Sequence, residues 1–194
     1  MAKIFYLFRH GETDYNVEKR WQGCSVDSLL NQNGLRQALE LAGKLKSYGI
    51  SKIYTSSLRR AIQTSTIVAS QLDVPLEVVS ELREGNLGLA EGLQYQEVKE
   101  AFPDIFEAWY SPENDMSVSF PSGETKLQMQ ERMFLVFEHL LEDTNEIIGI
   151  CSHGGSIRYL LMKFGIPPHR IPNIALYRII YDNDSWSAEI LFNR

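Results

Sequence analysis

An α/β fold is predicted: a three-layer α/β/α sandwich with a mainly parallel central sheet, a helical insertion as lid and a C-terminal antiparallel hairpin. Three observations predict it. Short apolar runs alternate with segments of helical period through most of the chain, the pattern of a parallel sheet covered by helices. Two of those runs end directly in a His-Gly pair, at positions 10 and 153. Near the C-terminus, two strand-like runs are joined through Asp182-Asn183-Asp184, a hairpin signal.

Each element follows in order. Ile4 to Phe8 is an apolar run bounded by charge, hence a buried strand. Asn33-Gly34 opens a helix with Leu35, Leu39, Ala42 and Leu45 at helical spacing. Lys52 to Thr55 is the next strand, and Ser57 to Leu72 a helix with Ser57 as N-cap. Leu76 to Val79, after Pro75, is a third strand. Residues 92 to 122 mix polarity with two aromatic clusters and Pro103, Pro112 and Pro121, and are expected as an irregular helical insertion above the sheet. Glu124 to Glu142 is a long amphipathic helix and Glu146 to Cys151 a strong strand. Gly154 to Phe164 is a helix ended by Gly165 and Pro167-Pro168. Ile174 to Tyr181 and Trp186 to Phe192 form the closing hairpin. With no repeat or linker, one domain over residues 1–194 is expected, residues 92–122 forming its lid.

Composition narrows the function. A chain of 194 residues buries enough surface to need no disulfide or metal staple. The net charge of −6 argues against non-specific nucleic-acid binding, so any anion site must concentrate its cations locally. Cys24 and Cys151 are too few for a disulfide scaffold. The apolar N-terminus is too short for a signal peptide, and no run approaches the ~20 residues of a membrane helix. The expectation is a soluble, cytoplasmic protein.

Four segments hold residues able to do chemistry. His10 and His153 each directly follow a sheet strand, where pockets of open α/β sheets form. Each is followed by glycine, which lets backbone approach a ligand, and Gly154-Gly155 begins a helix whose first amides favour an anion. Arg9 adds a cation beside His10, completing the elements of a phosphate pocket. In Thr55-Ser56-Ser57-Leu58-Arg59-Arg60, two arginines stand at a helix start against the dipole, a placement that anion binding would explain. The fourth segment, Glu81 to Gly92, is an acidic glycine-containing loop able to supply a general acid. Singly, each has a bland alternative: a structural histidine, solvated arginines, an ordinary loop.

Together the four segments resemble the histidine phosphatase superfamily, also called the phosphoglycerate mutase-like family, from Phe8 to about Leu161. The carrying residues are Arg9-His10-Gly11-Glu12-Thr13 with Asn16, Trp21-Gln22-Gly23, Leu58-Arg59-Arg60-Ala61 with Thr64, and Leu82, Glu84, Gly88, Glu91 and Gly92. Pro121, Gly123 and Glu124, then Ser152-His153-Gly154-Gly155, complete the match. After Gly23 the pattern departs: Asp27 comes one residue late, and Leu29-Leu30-Asn31 replaces a proline-leucine-threonine stretch. The chain also lacks the longer basic cap of cofactor-dependent mutases, which favours the phosphatase branch.

The resemblance implies His10 as nucleophile of a phosphohistidine mechanism and Glu84 as general acid, then base. It places Arg9, Arg60, His153 and the Gly154 amide on the phosphoryl oxygens, and Asn16, Gln22 and Gly23 along the pocket. A small phosphorylated metabolite is the implied substrate, with no metal or cofactor, no nucleic acid and no membrane; a homodimer is left open. Three rivals stand beside this reading: a phosphotransferring mutase, a non-enzymatic phosphate-ligand module, and a Cys151–His153 thiol–imidazole pair. Trp109, Tyr110, Phe102, Phe106 and Phe120 form either a lid over the leaving group or the insertion's own small core.

Overall fold

The computed structural model describes residues 2–111 and 113–193; Pro112 lies outside them. In chain order the elements are β1 (Lys3–Arg9), α1 (Asp14–Val17), α2 (Gln32–Leu45), β2 (Lys52–Thr55), α3 (Arg59–Leu72) and β3 (Leu76–Val78). The insertion supplies α4 (Tyr95–Ala101) and α5 (Pro103–Tyr110). Then come α6 (Lys126–His139), β4 (Ile147–Ser152), α7 (Gly154–Lys163), β5 (Leu176–Asp182) and β6 (Ser185–Phe192).

The six strands are ordered β3-β2-β4-β1-β5-β6. β1 to β4 run parallel and the final pair antiparallel. Both faces are covered, so the strands read as continuous apolar runs rather than alternating ones. Tyr6 and Phe8 face Leu41, Ala42 and Leu45 of α2 and Ala61 and Val68 of α3. Phe5 and Leu7, pointing the other way by the strand's period of two, face Met133 and Phe137 of α6 and Leu160 and Leu161 of α7. These are the three layers expected.

Several local expectations are corrected. Leu39 is 54% exposed, because the buried face of α2 is centred on Ala38, Leu41, Ala42 and Leu45. Two residues apart on a helix is about 200°, so Leu39 and Leu41 cannot share a face. Asn31, not Asn33-Gly34, opens that helix, its side chain accepting from the Gly34 amide at 2.8 Å. Ser57 does not cap α3. Leu58 stands at the cap, and Asp27, from a distant loop, accepts from the Arg59 amide at 2.7 Å. The hairpin turn is Asn183-Asp184 alone, both left-handed (φ 48° and 57°), with Asp182 inside β5. Thr125 caps α6 in a reciprocal bond pair with Gln128, which delays its start past Glu124.

The insertion forms two regular helices with a core of its own. Val98, Phe106, Trp109 and Phe120 are buried together, joined to Met129 of α6 and Tyr159 of α7, with Phe102 against them. Tyr110 alone of the five aromatics is exposed, at 46%.

Candidate active site

β1 and β4 are hydrogen-bonded neighbours with Arg9 opposite Ser152, so the next residues, His10 and His153, leave the sheet side by side. Their rings lie 5.1 Å apart between centroids. His10 is buried, its Nδ1 2.7 Å from the Gly11 carbonyl oxygen. A carbonyl can only accept, so Nδ1 carries the proton and Nε2 keeps the lone pair. The backbone around the ring is fixed from two sides. The Gly11 amide donates to Thr64 Oγ1 at 3.0 Å, and Thr64 in turn donates to the Arg60 carbonyl at 2.8 Å. On the other side, Asn173 Nδ2 donates to the His10 carbonyl and to Asn16 Oδ1, both at 3.1 Å. Asn16 thus reaches the site through Asn173, while its own helix α1 is closed by a capping box with Thr13.

Arg60, buried at 1% exposure, donates from Nη2 to the Gly23 carbonyl at 2.8 Å and from Nη1 to Val26 at 2.9 Å. Arg59, its neighbour about 100° round the helix, is exposed. The loop holding Gly23 is pinned by Glu91, whose carboxylate accepts from the amides of Cys24 (3.1 Å), Ser25 (2.8 Å) and Leu87 (2.9 Å). Gly23 has a φ of +56°, and a Cβ there would lie 2.0 Å from Glu91 Oε1, so only glycine fits. Gln22 is buried, its Oε1 accepting from Ser28 at 2.5 Å. The shifted Asp27 is the residue capping α3, so the late aspartate still serves the arginine helix.

Glu84 docks on the first turn of α7. Its oxygens accept from Gly155 N (3.0 Å), Ser156 N (2.9 Å), Ser156 Oγ (3.0 Å) and Gly85 N (3.0 Å). The anion expected at this helix N-terminus is therefore the Glu84 carboxylate itself. Gly154 lies under Arg9, where a Cβ would come within 3.4 Å of the guanidinium. Arg9 is anchored through Nη1 to the Ile171 carbonyl at 2.7 Å. His153, fully buried, shares a 2.7 Å hydrogen bond between Nε2 and Ser56 Oγ. Three buried nitrogens of these residues, Arg9 Nε, Arg60 Nε and His153 Nδ1, have no hydrogen-bond partner among the described residues.

Electrostatics follow from that crowding. Burial, then Arg9 and Arg60, push His10 well below the usual histidine range. Burial first, and Arg60 next, do the same to His153. Burial lowers Arg9 to about 10 and also lowers Arg60, but neither is discharged at neutral pH. The site is thus two neutral imidazoles between two guanidinium cations. Cys151 does not join it: buried against α3, with its thiol facing the Ala61 carbonyl at 3.7 Å, it is pushed up to about 12. That removes the thiol–imidazole rival, because the reactive thiolate is not formed. Among the described residues, no group of three or more His, Cys, Asp or Glu side chains is placed to hold a metal ion. Nor is any described helix long and apolar enough to cross a membrane.

A family model of the histidine phosphatase superfamily (branch 1) matches residues 5–194. The chain belongs to that superfamily. As a histidine phosphatase superfamily member, it is 32% identical over 192 residues to phosphoglycerate mutase-like protein 4 of Arabidopsis thaliana, covering 95% of this chain and 82% of the relative. It is also 32% identical over 160 residues to a metal-independent phosphoserine phosphatase of the same plant, covering 81% and 66%. Among solved structures, YhfR of Bacillus stearothermophilus superposes with a TM-score of 0.87 at 28% identity, covering 98% of this chain and 97% of that one.

The fold brings together Arg9, His10, Arg60, Glu84, His153 and Gly154 from four segments. Gln22 and Gly23 sit on the loop that Arg60 binds, and Asn16 stands behind His10. Sequence reasoning missed Ser56, Asn173 and the capping role of Asp27. Ser56 was legible in part, since it lies in the strand-to-helix turn already singled out. Asn173 has no motif and contacts Asn16 across 157 positions.

Proposed function

We propose that this chain is a phosphomonoester hydrolase in which His10 Nε2 attacks the phosphorus and forms a phosphohistidine. One observation carries the reading: an imidazole with its Nδ1 proton committed to Gly11 and its Nε2 lone pair unprotonated, set among three buried nitrogens that lack acceptors. Orphaned buried donors are costly, and a phosphoryl group, with charge spread over its non-bridging oxygens, is the partner that satisfies them. Arg9 and Arg60 supply those donors, His153 supplies another in the tautomer in which Ser56 Oγ donates to Nε2 and Nδ1 carries the proton, and the Gly154 amide adds a fourth.

In the first step the N–P bond forms as the P–O ester bond breaks, and Glu84 delivers a proton to the departing oxygen. In the second, Glu84 takes a proton from water, whose oxygen attacks phosphorus while the N–P bond breaks, releasing phosphate and neutral His10. In the present arrangement both Glu84 oxygens accept hydrogen bonds, the state needed for the base step. For the acid step one oxygen must carry a proton, and Oε2, which accepts from the Gly155 amide alone, is the less engaged of the two. The sequence is metal-independent throughout. A mutase would need the phosphohistidine shielded from water.

Acid-quenched reaction mixtures should contain a phosphohistidine that peptide mass spectrometry maps to position 10. His10→Ala should lose it together with more than about a thousandfold of turnover, and chelators should leave the wild type active. A label on His153, or retained turnover in the variant, overturns the assignment.

A further inference from the structure

Next to the candidate site lies a pocket of about 320 Å³ that none of the roles above uses, lined by Tyr110, Asn114, Arg158, Tyr159, His169 and Arg170, among others. Its position follows from α7. Gly155, whose amide holds Glu84, is followed three and four residues later by Arg158 and Tyr159, on the same face and about 5 Å further along the axis. Pro168, His169 and Arg170 also line it, and arginines hold the backbone on either side of Arg170. Arg158 Nε donates to the His169 carbonyl at 2.9 Å, and Arg9 Nη1 to that of Ile171 at 2.7 Å. Arg170 lies between those two anchors and is exposed.

The charge here is unusual for this chain. It carries a net −6, yet neither Arg158 nor Arg170 forms an ion pair with a carboxylate among the described residues. Lys126 stands behind the pocket, fully buried, with its ammonium 3.5 Å from Asn114 Oδ1 and 5.4 Å from the Trp109 ring centroid. Asp115, the acid whose charge acts on Lys126, accepts from Ser117 N and Oγ at 2.8 and 2.7 Å. Like charges gathered without counterions destabilise a fold unless something anionic meets them. Arginine's planar fork suits a carboxylate or a phosphate, and tyrosine and asparagine add neutral hydrogen bonds.

We propose that this pocket is a substrate subsite for a second anionic group, so that the preferred substrates are phosphomonoesters whose leaving group carries a carboxylate or a second phosphate. The proposal rests on the phosphatase reading. It asks that the ester oxygen lie at His10 and the second anion about one helical turn away, between Arg158 and Arg170. A pocket of this size holds a small polar fragment rather than a protein segment.

Matched ligand pairs test it: N-acetylphosphoserine against its carboxamide, and propanediol bisphosphate against propanediol monophosphate. The wild type should favour the charged member in kcat/KM by about tenfold, the effect of one charge-assisted hydrogen bond. Arg170→Gln and Arg158→Gln should each lower that ratio at least about threefold through KM, with Arg158→Lys recovering part of it. Preference within only one pair names the anion. Equal rates within both pairs, or a ratio unchanged in both glutamine variants, overturn the subsite. If the wild type hydrolyses none of the four esters, the phosphatase reading falls, and calorimetric titration of the same pairs still decides the subsite. Tighter binding of the charged members, weakened in Arg170→Gln, supports it, and equal binding overturns it.

Discussion

A carboxylate proposed as acid in one step and base in the next must be able to gain and lose a proton, and Glu84 accepts four hydrogen bonds, three of them on Oε1. Glu84→Gln keeps the size of the side chain but cannot deliver a proton. An alkyl phosphate, whose alkoxide leaves badly, should lose on the order of a hundredfold or more, while nitrophenyl phosphate should lose far less in its first step. Pre-steady-state bursts with both esters measure this, and equal first-step losses would leave Glu84 a positioning residue. Residues of this kind were legible in the sequence because strand ends and glycines mark them. Ser56 and Asn173 were not, since each is a small polar residue whose meaning comes from one contact: Ser56 with His153, 97 positions away, and Asn173 with the His10 carbonyl, 163 away. Glu12 and Glu91, the other acids of the matching segments, are engaged elsewhere. Glu12 Oε1 accepts from Asn31 and Asn33 at 3.0 Å each, and Glu91 holds three amides.

At the scale of elements, the site depends on loops being held against helices. Glu91→Gln places an NH₂ donor where a carboxylate oxygen accepted an amide, so at least the exposed Ser25 amide loses its acceptor. It should cost about 0.5–1.5 kcal/mol of stability and loosen the Gly23 loop around Arg60. Alkyl and nitrophenyl esters should then slow by the same factor, unlike the Glu84 result; thermal melts and kinetics on both esters check it. A loss confined to the alkyl ester would make Glu91 the acid. The strands were legible to within one or two residues because buried apolar runs end where the chain leaves the sheet. Helix starts were less so. The caps of α2 and α3 come from Asn31 and from Asp27, the latter 32 residues upstream of the amide it holds. Helix α1 has only four residues, too few for any periodicity to show.

For the whole molecule, two buried neutral histidines make stability depend on pH. Both lie below the ordinary histidine value of 6.5 when folded. The unfolded chain therefore binds protons that the folded one refuses. Their contribution is complete above that value and is lost as pH falls below it towards the folded values, at up to roughly 1.4 kcal/mol per unit for each ring. Denaturant melts between about pH 8 and pH 5 should show this decline, above the range where most carboxylates titrate. In His153→Gln the slope should fall by about half, and a flat profile in the wild type would contradict the burial argument. The strand order has a further consequence, for synthesis. β1 pairs only with β4 and β5, and Ile4 meets Ile147 in register. A ribosome adding about 5–20 residues per second leaves the Ile-Phe-Tyr-Leu-Phe run without a partner for on the order of ten seconds. That run, apolar and rich in strand formers, is during this interval a segment prone to stick to other nascent chains. The strand that leads into His10 is thus made first and seated late, so no growing chain that lacks β4 can bring the two histidines together.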